Sequence, residues 1–575
     1  MPSLLARATL PCVLAPLLLS SFNAAAANTL TLPTGVYQSF RGTTPGATTR
    51  YISQANAAGV AAVVDSSSSA TARADATYKV IAGLGNATCY SLESRRYAGT
   101  YLRVLNGAIQ RGGRDGTLQF DQAATWCAHP GLSGSGASFE ALNSPGHYLR
   151  QQKGNLRVSA DDGGSFKQDA TWSVGGPWAD GNGSNMSFLH AQGRQIVNAS
   201  GVPVPLRGFN LGGWIVMEDF MSPMDATQPA LPDTYSIKQT LDKKYGVDKE
   251  RSLLRAYQDA WIAKTDIDNI AGAGYNVVRV PVWWGQFFDI AHPDISGFKS
   301  DGFDVLDQLV SNAAAKGVYV IIDMHGLIGG QSMNLSTGKQ NSNTYWTDTQ
   351  AQSMSAWLWW QIANHYKGNA TVAGYDLMNE PDVHRSTQPW TTADKTRVWQ
   401  AYDALYKSVR EADPDHMIFI EDTFGNWDWD MLPAPSVYGW KNVVYEAHEY
   451  QWPAQGTQQT VAVAEGGVDH IVMDFNNHAS WNVPGYVGEF NVFGAGKDAW
   501  RYSTGHYDAA GLSWTMWSYK SVNGVAPNYW GWYDVAKWVE RPYVASDSPD
   551  EIERKWGLWL TSSIFAQNTA LGLTP

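Results

Sequence analysis

Tyr375-Asp376-Leu377-Met378-Asn379-Glu380-Pro381 is the stretch that decides how the larger part of this chain folds. Tyr375–Met378 reads as the end of a buried strand, with Gly374 as the breaker before it. Asn379 and Glu380 stand where the strand runs out, and Pro381 stops the ladder because it has no N–H to give. A carboxylate at the C-terminal end of a buried strand, with an amide beside it, is placed to move a proton in a cleft. Taken alone, the same residues describe a loop glutamate that caps the next turn.

The sequence on either side favours the first reading. Short β-rich segments alternate with helical ones from about residue 190 onward. The candidate strands are Leu206–Asn210, Val277–Val282, Val318–Asp323, Gly374–Asn379, Met417–Glu421, Val443–His448, Gly485–Glu489 and Leu512–Trp517. Helical patterns such as Asp304–Lys316, Ser353–Tyr366 and Asp394–Ala412 lie between them. Eight alternations predict a (β/α)8 TIM barrel. A doubly wound open sheet is the alternative, but no Gly-x-Gly-x-x-Gly follows the first strand to mark a nucleotide site.

In such a barrel, functional side chains collect at the C-terminal strand ends. Those ends read Asn210, Arg279, His325, Asn379-Glu380, His448 with Tyr450, Glu489 and Trp517. Two carboxylates at strand ends suit glycoside cleavage. One gives a proton to the leaving oxygen; the other, ionised, attacks or stabilises the anomeric carbon. Arg279 would keep Glu489 ionised, Tyr450 would donate to the same carboxylate, Asn379 would meet a sugar hydroxyl, and Trp517 would floor the site.

These motifs resemble glycoside hydrolase family 5 over residues 190–575. The matching segments are Val278-Arg279-Val280-Pro281, Asp323-Met324-His325-Gly326, Met378-Asn379-Glu380-Pro381, His448-Glu449-Tyr450, Gly488-Glu489-Phe490 and Trp514-Thr515-Met516-Trp517. The resemblance implies a retaining β-glycosidase with Glu380 as acid/base and Glu489 as nucleophile. Arg279, His325, Asn379, His448, Tyr450 and Trp517 are implied substrate-binding or supporting residues. Arg207-Gly208-Phe209-Asn210-Leu211-Gly212-Gly213-Trp214, followed by Glu218, is similar to the fungal exo-β-1,3-glucanase group, where the matching Glu binds hydroxyls of the terminal glucose. Related β-1,6-glucanases, galactanases and diglycoside-releasing enzymes remain open alternatives. A catalytically inactive carbohydrate-binding wall protein is the reading from another class. No metal or cofactor is implied: there is no His-Glu-x-x-His or Cys-x-x-Cys, and no Gly-x-Ser-x-Gly suggests a serine hydrolase.

Residues 28–174 have a different texture, with short alternating runs and a threefold repeat. Ser39-Phe40-Arg41, Arg50-Tyr51-Ile52 and Asp75-Ala76-Thr77-Tyr78 recur as Ser91-Leu92-Glu93, Thr100-Tyr101-Leu102-Arg103 and Ala123-Ala124-Thr125-Trp126. They recur again as Ser138-Phe139-Glu140, His147-Tyr148-Leu149-Arg150 and Asp169-Ala170-Thr171-Trp172. Three strand-rich units predict a closed all-β structure with Tyr78, Trp126 and Trp172 in its core. The pattern resembles the β-trefoil carbohydrate-binding domain of α-L-arabinofuranosidases. That resemblance implies a sugar pocket in the third repeat from His147, Tyr148 and Asp169. Residues 175–189, rich in Gly, Asn and Ser, read as a linker.

Composition supports an exported protein acting on a neutral polymer. The chain has 575 residues, only 16% of them charged, with 26 Trp and 27 Tyr whose faces suit sugar rings. A net charge of −12 argues against nucleic acid and anionic membranes. Met1–Ala27 reads as a secretory signal with an apolar run too short to span a bilayer. Cys12 would leave with it, and Cys89 and Cys127 would pair in an oxidising compartment. The expected protein is an extracellular monomer whose partner is an oligo- or polysaccharide.

Overall fold

The computed structural model describes residues 30–571 except 36, 65–67, 69, 98, 135, 176, 179–185, 385–388, 426–427, 452–458 and 523–529. The expected signal segment Met1–Ala27 lies outside the described residues. The chain divides into two compact units between residues 182 and 183. The expected linker narrows at both ends: Gly175 closes one strand and Leu189 opens another.

Among its described residues the first unit is all-β apart from three short helical turns. Each repeat supplies four strands and one such turn. The first repeat contains Tyr37–Gly42, Arg50–Ala55, Ala58–Val63, the turn Ala70–Asp75 and Tyr78–Ala82. The second contains Tyr90–Ser94, Thr100–Leu105, Ala108–Gly113, the turn Leu118–Ala123 and Trp126–Pro130. The third contains Ala137–Ala141, Tyr148–Gln152, Asn155–Ser159, the turn Phe166–Asp169 and Trp172–Gly175. The outer strands of the three repeats pair into a closed ring, the first with the last. The inner strands form three hairpins that touch one another pairwise.

The repeated residues explain the repeated structure. Thr77, Thr125 and Thr171 each donate to the carbonyl four residues back, on Arg73, Asp121 and Lys167, at 2.9, 2.7 and 2.7 Å. Ser91 and Ser138 donate to the Ala124 and Ala170 carbonyls, both at 2.7 Å. The ring nitrogens of Trp126 and Trp172 donate to Leu102 and Leu149 carbonyls, at 3.0 and 3.1 Å. Tyr78, Trp126 and Trp172 are fully buried in the unit's core with Phe40 and Phe139. Cys89 and Cys127 are disulfide-bonded across the second repeat, 38 residues apart.

In the second unit eight parallel strands close a barrel. We number them β1 (Arg207–Asn210), β2 (Val277–Trp283), β3 (Tyr319–Gly326), β4 (Val372–Asp376), β5 (Met417–Glu421), β6 (Val443–Glu449), β7 (Gly485–Phe490) and β8 (Ser513–Met516). Helices between most of them, among them Asp304–Ala314, Thr349–Tyr366 and Thr392–Ala412, put apolar faces on the sheet. A hairpin, Leu189–Gln192 with Gln195–Asn198, joins its Leu189 and Ile196 to Leu206, Val277, Ile321, Met417 and Phe419 in one apolar cluster at the N-terminal end of the barrel. No helix among the described residues is long and apolar enough to cross a membrane.

Two expectations about the strands need correction. β4 begins at Val372 and ends at Asp376, so Gly374 lies inside it and Leu377–Glu380 lie beyond its end. Gly374 is there for close approach, since a Cβ would lie 2.4 Å from the Met417 carbonyl of β5. β3 extends to Gly326, which places His325 within the ladder.

The three hairpin turns of the first unit take left-handed backbone at Asn56-Ala57, Asn106-Gly107 and Lys153-Gly154. Ala57, at φ +67°, stands where the other two turns have glycine. Ala57→Gly is expected to stabilise the first unit by about 1 kcal/mol, read as a higher midpoint of its thermal unfolding.

Candidate active site

The ladder stops at Asp376, and the next six residues must find hydrogen bonds elsewhere. Leu377 N–H donates to Phe419 O at 3.4 Å and Asn379 N–H to Met324 O at 3.0 Å. The Leu377 and Met378 carbonyls accept from Trp359 Nε1 and the Tyr402 hydroxyl, both at 3.0 Å. The Asn379 carbonyl accepts from Gln331 Nε2 at 2.8 Å. Glu380 N–H donates to Glu421 Oε2 at 2.8 Å, and the Pro381 carbonyl accepts from Phe424 N–H at 3.2 Å. Side chains thus replace the missing sheet partner, and Glu380 is held at φ +45°, a left-handed conformation uncommon for a residue with a side chain.

Arg279 of β2 lies at the centre of the barrel, fully buried among carboxylates. Its nitrogens approach Asp376 at 2.7 Å, Glu489 at 2.8 Å, Asp323 at 3.1 Å, Glu446 at 3.3 Å and Glu421 at 3.9 Å. It also donates to Asn210 Oδ1 at 3.2 Å and Asn379 Oδ1 at 3.0 Å. Burial opposes its charge, but Asp323, Glu446, Asp376 and Glu489 outweigh burial and hold the guanidinium protonated. Because Asn379 Oδ1 is taken, its Nδ2 is the atom left to donate into the cleft.

The two glutamates singled out from the sequence come together. An oxygen of Glu380, an oxygen of Glu489 and a ring nitrogen of His448 all lie within 4.8 Å of one another. Glu489 Oε1 accepts from Arg279, and Oε2 accepts from the Tyr450 hydroxyl at 2.7 Å. His448 Nδ1 is 3.0 Å from Glu380 Oε1, with Glu421 and Glu489 oxygens at 3.4 and 3.6 Å. The direction of the His448 Nδ1–Glu380 Oε1 bond depends on the imidazole tautomer; with the proton on Nδ1, Glu380 Oε1 accepts and the carboxyl proton belongs on Oε2.

Burial, then Glu489 and Glu218, push the Glu380 carboxyl well above the usual carboxylate range. Burial also raises Glu489, against the opposing pull of Arg279, His325 and the Tyr450 hydrogen bond. Both carboxyls are thus raised, Glu380 the more strongly, so of the two Glu380 holds its proton more firmly. His448 is held neutral by burial and by Arg279 and His325. Burial also takes His325 down to about 3; its Nδ1 bonds to Asp323 Oδ2 at 2.5 Å, and its ring stacks on Trp517 with centroids 5.3 Å apart. Glu218, on the loop after β1, is buried with Oε1 lacking a hydrogen-bond partner among the described residues. Exposed Phe220 and Phe424 stand on the loops after β1 and β5, which lie on opposite sides of the barrel mouth.

Four acids of this centre were not singled out from sequence: Asp323, Asp376, Glu421 and Glu446. Each is a charged residue inside an apolar strand, a signal that period-two reading of β3 to β6 contains. Register makes neighbours of Asp323 and Asp376, of Glu421 and Glu446, and of His448 and Glu489. The last pair depends on a register shift between Ala447 and His448. Gly488 leaves room for Glu446, because a Cβ there would lie 1.5 Å from Glu446 Oε1.

The candidate sugar-pocket residues of the first unit are less alike in setting. His147 is exposed, with Nδ1 3.2 Å from Pro145 O, and the Tyr148 ring packs edge-on against His129 and Phe166. Asp169 is buried and accepts from Ser165, Thr44, Gln151 and Arg150 at 2.7, 2.8, 2.7 and 3.1 Å. Burial raises its pKa, but those four donors win and lower it. Its carboxylate is committed to joining the third repeat to Thr44 of the first.

The acids around Arg279 make stability depend on pH. Burial raises Asp323 to about 7 and Asp376 to about 6. The folded state therefore binds more protons than the unfolded chain, and stability falls as pH rises from about 4 through 7. The second unit is expected to melt at a higher temperature at pH 5 than at pH 8, checked by calorimetry across that range.

Comparison with known proteins bears on both units. Residues 243–523 match the family model for cellulase (glycosyl hydrolase family 5), and residues 40–174 match that for the α-L-arabinofuranosidase B (ABFB) domain. A β-xylosidase of Phanerodontia chrysosporium is 29% identical over 267 residues, 46% of this chain and 52% of that protein. A probable glucan 1,3-β-glucosidase A of Aspergillus niger is 29% identical over 252 residues, 43% of this chain and 55% of that protein. A probable α-L-arabinofuranosidase B of Aspergillus clavatus is 35% identical over 155 residues, 26% of this chain and 31% of that protein. The chain thus spans about half the length of the first two relatives.

Proposed function

We propose that this chain, a glycosyl hydrolase family 5 domain joined to an α-L-arabinofuranosidase B domain, is a secreted, monomeric, retaining β-glycosidase. The observation that carries this reading is the pairing of Glu380 and Glu489, with carboxyl oxygens within 4.8 Å. Retaining enzymes hold the two carboxyls about 5–5.5 Å apart, whereas inverting ones leave about 6.5–9.5 Å for a water.

In the first step the Glu380 Oε2 proton passes to the glycosidic oxygen as the C1–O bond breaks. A Glu489 oxygen forms the new bond to C1 from the opposite face. In the second step Glu380, now a carboxylate, takes a proton from water, whose oxygen displaces Glu489 from C1. Arg279 and Tyr450 keep Glu489 ionised between turnovers, while His448 orients the donor. Asn379 Nδ2 serves the sugar's 2-hydroxyl, and Trp517, braced by His325, floors the ring. Glu218 meets hydroxyls of a terminal sugar, which suits exo action on β-1,3-linked glucose. In the first unit, read as a β-trefoil carbohydrate-binding module, His147 and Tyr148 face the ligand and Asp169 supports them.

A second sugar specificity has its own support. The β-xylosidase relative and the α-L-arabinofuranosidase B domain together favour an arabinose-decorated xylan. Comparing kcat/KM on 4-nitrophenyl β-glucoside and β-xyloside separates the two.

Glu489→Ala is expected to abolish turnover, with azide restoring cleavage and yielding the glycosyl azide of inverted configuration. Glu380→Ala is expected to lose about 10²- to 10⁴-fold on unactivated leaving groups and little on dinitrophenyl glycosides. Product configuration by NMR checks both; wild-type rates in either variant would overturn the assignment. The wild-type kcat/KM profile should be bell-shaped, its acid limb set by Glu489 and its alkaline limb by Glu380.

A further inference from the structure

Glu421 closes β5, is fully buried, and takes no part in the two steps above. Its nearest charged neighbour offers a plain explanation, as one more acid balancing Arg279. Yet at 3.9 Å it is the most distant of the five carboxylates around that guanidinium. Its shortest polar contact is to Glu380, whose N–H donates to Glu421 Oε2 at 2.8 Å. Its other oxygen lies 3.4 Å from His448 Nδ1, the nitrogen that contacts Glu380 Oε1 at 3.0 Å. Glu421 therefore holds the Glu380 backbone directly, while its other oxygen, without a hydrogen-bond partner among the described residues, lies beside His448.

The backbone contact is the one with consequences. Glu380 sits at φ +45° past the end of β4, where no ladder holds it. Such a conformation persists only when its surroundings over-determine it. The carbonyls of residues 377–379 are anchored by Trp359, Tyr402 and Gln331, and Pro381 offers no N–H. Glu380 N–H has Glu421 Oε2 as its acceptor, and a buried donor left without an acceptor is costly.

We propose that Glu421 is the positioning residue of the proton donor, fixing the left-handed backbone of Glu380 so that its carboxyl faces the glycosidic oxygen. This rests on the reading of Glu380 as the acid. Titratable and charged groups facing Glu380 are Glu218 after β1, Arg279 on β2, Asp323 on β3, Glu421 and Asp422 on β5, His448 and Tyr450 on β6, and Glu489 on β7. Burial and its acidic neighbours keep Glu421 protonated, so an amide in its place preserves both charge and acceptor.

The test uses the full chain with Glu421→Gln, Glu421→Met and Glu380→Ala. Each is assayed on a phenyl β-glycoside, which needs a proton, and on the 2,4-dinitrophenyl glycoside, which does not. Glu421→Met fills the volume without an acceptor. It should lose about 10²-fold in kcat/KM on the phenyl substrate and keep nearly all of it on the activated one. Glu421→Gln should recover most of the phenyl activity and keep the wild-type alkaline limb. Labelling of Glu489 by a 2-deoxy-2-fluoro glycosyl dinitrophenolate should proceed in both, since it needs no acid. Equal losses on the two substrates, or a Gln variant as impaired as Met, would overturn the proposal. If Glu421→Met fails to fold, a leaving-group-dependent loss in Glu421→Gln overturns it alone. If Glu380→Ala itself treats both substrates alike, the acid assignment fails instead.

Discussion

The second unit depends on one buried cation. A guanidinium cannot shed its proton, so burying Arg279 requires acids around it. Removing such a partner typically costs about 3–5 kcal/mol, because the remaining charge has nowhere to go. The barrel meets this demand with Asp323, Asp376, Glu421, Glu446 and Glu489, more acid than one cation can hold ionised. The excess is absorbed by protonation. Arg279 and Tyr450 oppose the upward push of burial at Glu489, while Glu380, beyond direct reach of the guanidinium, is raised further.

The same economy appears in the backbone. The barrel stops at Asp376, yet the following residues stay ordered because indole, phenol, amide and carboxyl groups from neighbouring elements stand in for a sheet. The first unit uses small hydroxyls in this way, with Ser and Thr closing equivalent turns in successive repeats. In both units polar side chains complete hydrogen bonding where regular structure ends.

Much of this was legible in the sequence. The eight strands have buried apolar runs of the right length, and Glu380, Glu489, Arg279, His325, His448, Tyr450 and Trp517 stand at or near their C-terminal ends. The threefold repeat announced an all-β unit because its Ser, Thr and aromatic positions recur at fixed offsets. Less legible were Glu421 and Glu446. Glu421 is the one acid of β5 and Glu446 one of two in β6, and what each faces depends on register across the barrel. Asp169 shows the opposite case: a residue type apt for sugar hydroxyls is spent on internal donors that arrive from a different repeat.

Local pattern determined the barrel, the repeat architecture and the identities of the two central glutamates, because period, spacing and residue type are properties of the chain itself. Tertiary structure alone decided that those glutamates lie within 4.8 Å of one another. It likewise decided that one is held by Arg279 and Tyr450 while the other rests on Glu421 and His448. The physical reason is that proton affinity is set by burial and by charges brought from distant strands, and neither exists until the barrel closes.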